Sequence, residues 1–390
     1  MKTFETFAPE TAVHTDRVSG VKIRRLTNWK GHSTHPYFTE DGWYDGGKKM
    51  LFLSDRHNVK NVYNVDIESG EINRLTDMPK GGPDLTCPLS VNKRLNEIYY
   101  QYDGKIYALS LETLETRLLY TIPSGFKFGG ARVMAGGKYV IGSLGEDMSK
   151  KVVQNLSAGY VGMKETFEAK PDTRILRINV DTGESDEIWQ ENAWVGHINP
   201  SPTQPNLLTF CHEGPWHLVD NRIWVLDTNT GKAHKIRERK EEFELIGHEY
   251  WLADGTTIGY QVHSPQSQNK DNERGHTWFG FVNYDNTGEI EPTNIKVPRD
   301  TPDHIHSNDL NFVVCDSGKS IKGYKSDNGQ NFSGPRVICM HDGSFFWGGH
   351  HPHPRITSDG KHVVYNSNNL GYCNIFMAEI PEDFESLPVV

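Results

Sequence analysis

The chain has 390 residues, 36% of them hydrophobic and 24% charged, with a formal net charge of −10 at pH 7. That balance argues against general nucleic-acid binding, which wants a basic face, and no run of about 18 apolar residues offers a membrane span. The 37 glycines and 20 prolines suit a turn-rich β protein.

The opening stretch, MKTFETFAPETAVHTD, has no apolar h-region and no small-residue cleavage site. It reads as no signal peptide, so a cytoplasmic location is expected. Five cysteines (Cys87, Cys211, Cys315, Cys339 and Cys373) are widely spaced and form no CxxC. Several sit in apolar runs such as TFCHE and FVVCDS, which predicts buried free thiols in a reducing compartment.

Short β-type runs recur along the chain: MLFLS (50–54), EIYYQY (97–102), KYVIGS (138–143), NLLTFC (206–211), TIGYQV (257–262), NFVVCD (311–316) and HVVYNS (362–367). Each reads as the first strand of a unit, and the units start about 40 to 70 residues apart, a period that fits four-stranded propeller blades. Most are followed by a strand, a polar turn and another strand, as in VYNVDIESGEINRLT and IWVLDTNTGKAHKIR. These are the third and fourth strands of a blade, joined by Asp/Thr/Gly hairpins.

Counting gives seven units. GVKIRRLT (20–27) resembles a fourth strand with no unit before it, and the last unit lacks one. The expected fold is therefore an all-β, seven-bladed propeller in one domain over 1–390, its ring closed by the N-terminal strand. Two β-sandwich domains are the alternative. The polar stretch 146–170 interrupts the third unit as an insertion or lid.

Nine of the 18 histidines precede the repeated strands: His32 and His35, His197, His248, His304 and His306, and His350, His351 and His353. His35, His248 and His353 each lie six residues before an Asp-Gly pair, so they occupy pseudo-equivalent positions on three blades. In a propeller such positions converge on one cavity. In an extended segment residues i and i+2 point the same way, and the prolines of HPHP favour that form. His351 and His353 should therefore present imidazoles together, with His304 or His306 arriving from the neighbouring blade. Imidazole-rich ligation suits a transition ion rather than calcium or magnesium. An inter-blade hydrogen-bond network of histidines is the bland alternative.

Two further clusters stand out. CHEGPWHLVDNRIWV (211–225) carries His212, Glu213, His217, Asp220 and Arg222. SDRHN (54–58) carries Asp55 and Arg56, where ordinary turn and inter-blade hydrogen bonding competes with ligand contact.

The runs CHEGP, DNRIW, GHEYW, HIHSN and HPHP, in that order, resemble the oligogalacturonate lyases. That resemblance implies a seven-bladed propeller of pectin-degrading bacteria that cleaves short galacturonate oligomers by β-elimination with a bound divalent metal. It implies that His248 is the base and that Arg222 binds or polarises the substrate. His304, His351 and His353 would be metal ligands, with manganese expected before zinc or another transition ion. His35, His197, His212 and Arg56 are candidates for substrate contact. One position departs: Gly348 stands where the family usually has a glutamine ligand, so either water or His350 takes that place. A lyase for a different uronic-acid oligosaccharide is one alternative; a non-catalytic TolB-like binding propeller, its histidine face a docking surface, is another.

Overall fold

Every repeated run becomes a strand flanked on both sides within an antiparallel sheet, and there are seven such sheets among the described residues. The computed structural model describes residues 4–389, apart from 157–159, 242–243, 265–274, 296, 299–303 and 345–350. The runs read as nearly continuous apolar stretches because each blade is covered on both faces by its neighbours. Met50, Leu51 and Phe52, which point alternately to opposite faces, are all buried, as are Val313, Val314 and Cys315. All five cysteines are buried, and no disulfide joins any of them among the described residues, as expected.

One detail of the expected blade changes. The repeated run is the second strand, not the first. The innermost strand is the segment before it: Val195–Pro200 in blade 4, Leu245–Trp251 in blade 5, Ile305–His306 in blade 6 and Arg355–Ile356 in blade 7. The histidines therefore stand in or beside the innermost strands, around the axis, rather than in an approach to them.

Ring closure follows the expected route and goes further. Lys22–Arg25 pairs with Asn374–Glu379, Ile23 opposite Ala378, and so supplies the missing strand of blade 7. Ala12–Thr15 then adds a fifth strand outside it. Thr6–Phe7 leaves that blade altogether and pairs with Ile72–Arg74 at the edge of blade 1. The N-terminal segment thus spans the junction between first and last blades.

Arg56 belongs to that junction. Its side chain is fully buried, donates to both carboxylate oxygens of Glu10 at 2.6 and 3.1 Å, and lies among the rings of Phe7, Trp29, Phe52 and Tyr63. This corrects its candidacy for substrate contact: its guanidinium is engaged by the N-terminal segment. Truncating one partner of a buried ion pair strands the other charge. Arg56→Ala should therefore lower the unfolding free energy by about 3 kcal/mol with kcat/KM unchanged. Chemical denaturation beside steady-state kinetics reads both.

The insertion after Tyr139–Glu146 carries a short helix, Met163–Ala169. Phe167 of that helix packs on the CHEGP loop at Gly214, where φ is 148° and a Cβ would sit 2.5 Å from the ring. Only glycine permits that approach.

Candidate active site

Three blades share one backbone device. In blade 4, Gly196 pairs with Cys211 and Asn199 with Thr209, so two residues face one. Blade 5 repeats this with Gly247 opposite Gln261 and Tyr250 opposite Gly259. In blade 7 the Asn366 amide donates to the Pro352 carbonyl and Arg355 pairs with Val364. The first residue of each bulge is a histidine in the left-handed region: His197 (φ 47°), His248 (φ 51°) and His353 (φ 47°). A non-glycine residue held there is costly, on the order of 1 kcal/mol or more, and bulges re-aim side chains next to functional sites. Here they turn imidazoles toward the axis.

His35 follows Thr34, which pairs with Leu53, as His248 follows Gly247, so its expected equivalence to His248 and His353 holds in the ladder. Its ring does not join theirs. It is buried, and Nε2 lies 3.1 Å from the Pro352 carbonyl oxygen. The candidacy of His35 for substrate contact is corrected accordingly: it braces blade 1 against the HPHP segment. Burial, opposed only in part by that carbonyl, pulls its pKa down to about 4. The unfolded chain then binds a proton that the fold refuses between pH 6.5 and 4. The contribution of His35 is complete above pH 6.5 and is lost as pH falls toward 4, on the order of 3 kcal/mol in all. His35→Gln should flatten the pH dependence of the denaturation midpoint across that window.

After His35 the chain inserts Tyr37 and Phe38 into the axis. The fully buried Phe38 ring lies 6.2 Å from His248, 5.7 Å from His304 and 6.4 Å from His353, centroid to centroid, and forms a floor beneath them. Tyr37 packs 4.8 Å from His353 and reaches His197 at 6.4 Å.

The imidazoles above that floor are close. His304 lies 4.4 Å from His248, 4.3 Å from His353 and 5.3 Å from His351, and His351 lies 5.5 Å from His353, again between ring centroids. One ring nitrogen each of His304, His351 and His353 falls within 4.8 Å of the others. The expected pair from HPHP meets, although His353 is not in the extended form that i, i+2 reasoning assumed. Of His304 and His306, only His304 joins the group. The His306 ring lies further along the axis, stacked 5.4 Å from Tyr250, its Nδ1 accepting the Ile356 amide at 3.3 Å. His350 and Gly348 lie outside the described residues.

Two supporting residues were not anticipated. Asp316 accepts the His304 amide at 2.7 Å and holds its Nδ1 at 2.9 Å. Gln261 places its amide oxygen 2.6 Å from His248 Nδ1. Both are the fifth residue of a second strand, Phe312–Ser317 and Thr257–His263. With Nδ1 so engaged, Nε2 is the atom each ring has to offer. Burial, then the charges of His304, His35, His351 and His248, push the His353 pKa well below the usual histidine range, so the ring is neutral and competent as a ligand. Three imidazoles, one of them backed by a carboxylate, fit a divalent transition ion.

Beside the histidines, Arg222 Nη1 donates to Glu213 Oε2 at 2.9 Å and its Nε to Glu249 Oε2 at 3.4 Å. The guanidinium lies 5.7 Å from the Trp216 ring. Burial opposes its charge, but Cys211, Glu213 and Glu249 hold its pKa well above the usual value. His197 Nε2 meets the other Glu213 oxygen at 3.0 Å. Burial would raise the Glu213 carboxyl, yet Arg222 and His197 keep it well below the carboxylate range. His212 stands apart from this group. Both of its nitrogens are engaged, by Asp220 at 2.7 Å and Glu191 at 3.1 Å, which ties blade 3 to blade 4 and corrects its candidacy for substrate contact.

The model of the Oligogalacturonate lyase family matches residues 6–272. This chain belongs to that family. It is 25% identical to the oligogalacturonide lyase of Pectobacterium atrosepticum, over 94% of this chain and 95% of that one. It is 26% identical to the oligogalacturonate lyase of Dickeya dadantii with the same coverage. A solved structure of an oligogalacturonate lyase in complex with manganese superposes with a TM-score of 0.83 at 23% identity, covering 99% of this chain and all of that one. Another, from Vibrio parahaemolyticus, gives 0.82 at 22% identity, covering 98% and 100%. The seven-bladed propeller and the lyase assignment both follow from this membership, the fold also from the superpositions. Among the described residues no helix is long and apolar enough to cross a membrane.

Proposed function

We propose that this lyase cleaves short oligogalacturonides by β-elimination, with His248 as the base. The observation that carries the reading is the contact between His248 and the three-imidazole group: a side chain able to take a proton, its Nδ1 fixed by Gln261, stands 4.4 Å from His304.

The proton to be removed, at C5, is α to a carboxylate and barely acidic while that carboxylate keeps its charge. His304, His351 and His353 would hold a divalent ion, manganese before zinc, which when bound would supply a Lewis acid for that carboxylate. His248, with Nε2 unprotonated, accepts the C5 proton; an unperturbed imidazole pKa of about 6.5 matches that work near neutral pH. Glu213 and Glu249 set the orientation of Arg222, whose remaining N–H groups can meet a substrate carboxylate or hydroxyl. The exposed His197 stands next to Tyr37 as a further contact for the sugar. The C4–O4 bond breaks as the C4–C5 double bond forms. Action in the cytoplasm is part of the same reading, checked by cell fractionation.

The test is ultraviolet absorbance during incubation with di- and trigalacturonate, with manganese and then with a chelator. A metal-dependent rise from the unsaturated product supports the proposal. A flat trace with metal-loaded protein moves the reading to another uronic-acid oligosaccharide, which Gly348, in place of the family's glutamine, already motivates.

A further inference from the structure

Below the floor made by Phe38, the axis opens again at the other mouth of the ring. This cavity has a volume of about 570 Å³ and is lined by the far ends of the innermost strands. That is the size of a small-molecule site, which spans about 300–1,000 Å³. None of the histidines above the floor lines it; His306 does.

The charges of its wall do not cancel evenly. Lys93 pairs with Asp41 at 2.9 Å, Arg94 with Asp181 at 2.9 Å, and Arg132 with Glu40 at 2.5 Å. Arg355 has no carboxylate within 4.0 Å among the described residues, and its one hydrogen bond there runs from Nη1 to the Phe38 carbonyl. Burial pushes its guanidinium below the usual arginine range, offset in part by Asp41 and Glu40. Two more donors join it. His306 is buried and accepts the Ile356 amide on Nδ1, which leaves its proton on Nε2. Asn199 is only 5% exposed, and its Nδ2 has no hydrogen-bond partner. A buried donor without an acceptor, as Asn199 Nδ2 is here, is costly unless something supplies the acceptor. Trp43 and Trp251 add flat apolar surface to the same wall.

We propose that this opposite mouth is a second binding site, for a small organic anion of sugar-acid size, its carboxylate on Arg355, His306 and Asn199 and its ring against the tryptophans. An Arg fork matches a carboxylate in geometry as well as charge. Trp side chains suit a body that is apolar on one face and polar at its edge.

Asn199→Asp tests this with almost no change in shape, because it sets a negative charge where the anion would lie. Wild type, Asn199→Asp and Arg355→Gln would each be titrated calorimetrically with galacturonate, galactose and inorganic phosphate. The expected result is a galacturonate site in the wild type that galactose does not fill. Binding there should weaken by about tenfold or more in both variants, with lyase turnover retained as the sign of an intact ring. Binding unchanged in both variants overturns the proposal. So does galactose binding as tightly as galacturonate, or phosphate binding where galacturonate does not. Binding is read without turnover, so its failure and a failure of the lyase reading are separate results.

Discussion

His248→Ala should abolish turnover and leave the metal in place. His248 lies outside the trio whose nitrogens fall within 4.8 Å of one another, yet its ring touches that of His304. Removing a general base costs about 10²- to 10⁴-fold, and the loss should fall on kcat, because in the proposed mechanism the ring serves proton removal rather than holding the substrate. Metal content of the purified variant, measured beside its rate on trigalacturonate, checks both halves. If metal and activity disappear together, His248 is a ligand and the base is elsewhere. Near-normal turnover would remove it from the chemistry altogether. Gln261→Leu gives a graded companion. It leaves the imidazole present but frees its tautomer and orientation, so kcat should fall by about tenfold or more with KM little changed.

Which parts of this site were legible in the sequence follows from how each residue is carried. His248, His304, His351 and His353 sit in short runs of unusual composition, and counting residues to the next Asp-Gly pair aligned two of them on different blades. The count failed to anticipate His197 as the third residue in the same backbone position, because its inner strand closes on a different turn. The left-handed backbone at His197, His248 and His353 had no signal at all, since none of them is the glycine or asparagine that marks such positions. Asp316 and Gln261 did leave one. Each is a polar residue at a buried position near the end of an otherwise apolar run, FVVCD and TIGYQ, where burial demands a hydrogen-bond partner. Reading those runs only as strands passed over the question of what the polar end was holding. Tyr37 and Phe38 were invisible for another reason. They belong to a segment that departs from the repeat, and a repeat pattern says nothing about where a departure goes. The same holds for Thr6–Phe7 and Ala12–Thr15. Closure by Lys22–Arg25 was required by a missing fourth strand, whereas the two outer strands complete no deficit.

His353→Ala should release the metal and with it the activity, and so should His304→Ala and His351→Ala. The three come from two blades, so the site exists only when blades 6 and 7 are in register. His304 stands immediately before the short strand segment Ile305–His306, and His353 in a bulge after Pro352. Neither ring can shift far. His304 is clamped by Asp316 through both its amide and its Nδ1, and His353 lies against Tyr37 at 4.8 Å. A fixed three-nitrogen face with a carboxylate behind it is selective for transition ions over calcium and magnesium, which prefer oxygen. Loss of one of the three proposed ligands should therefore empty the site at micromolar metal, and added manganese should restore little of the rate. Asp316→Asn separates ligation from support. The amide can still accept the His304 backbone proton, but it no longer draws electron density onto the imidazole through Nδ1. Metal affinity should fall by about 10- to 100-fold, and unlike the alanine variants this one should recover activity when manganese is raised by the same factor. Equal, unrescued losses in Asp316→Asn and His304→Ala would mean that Asp316 shapes the blade rather than the ligand. Full metal content in His353→Ala would mean that the imidazole group is the inter-blade hydrogen-bond network that the sequence also allowed.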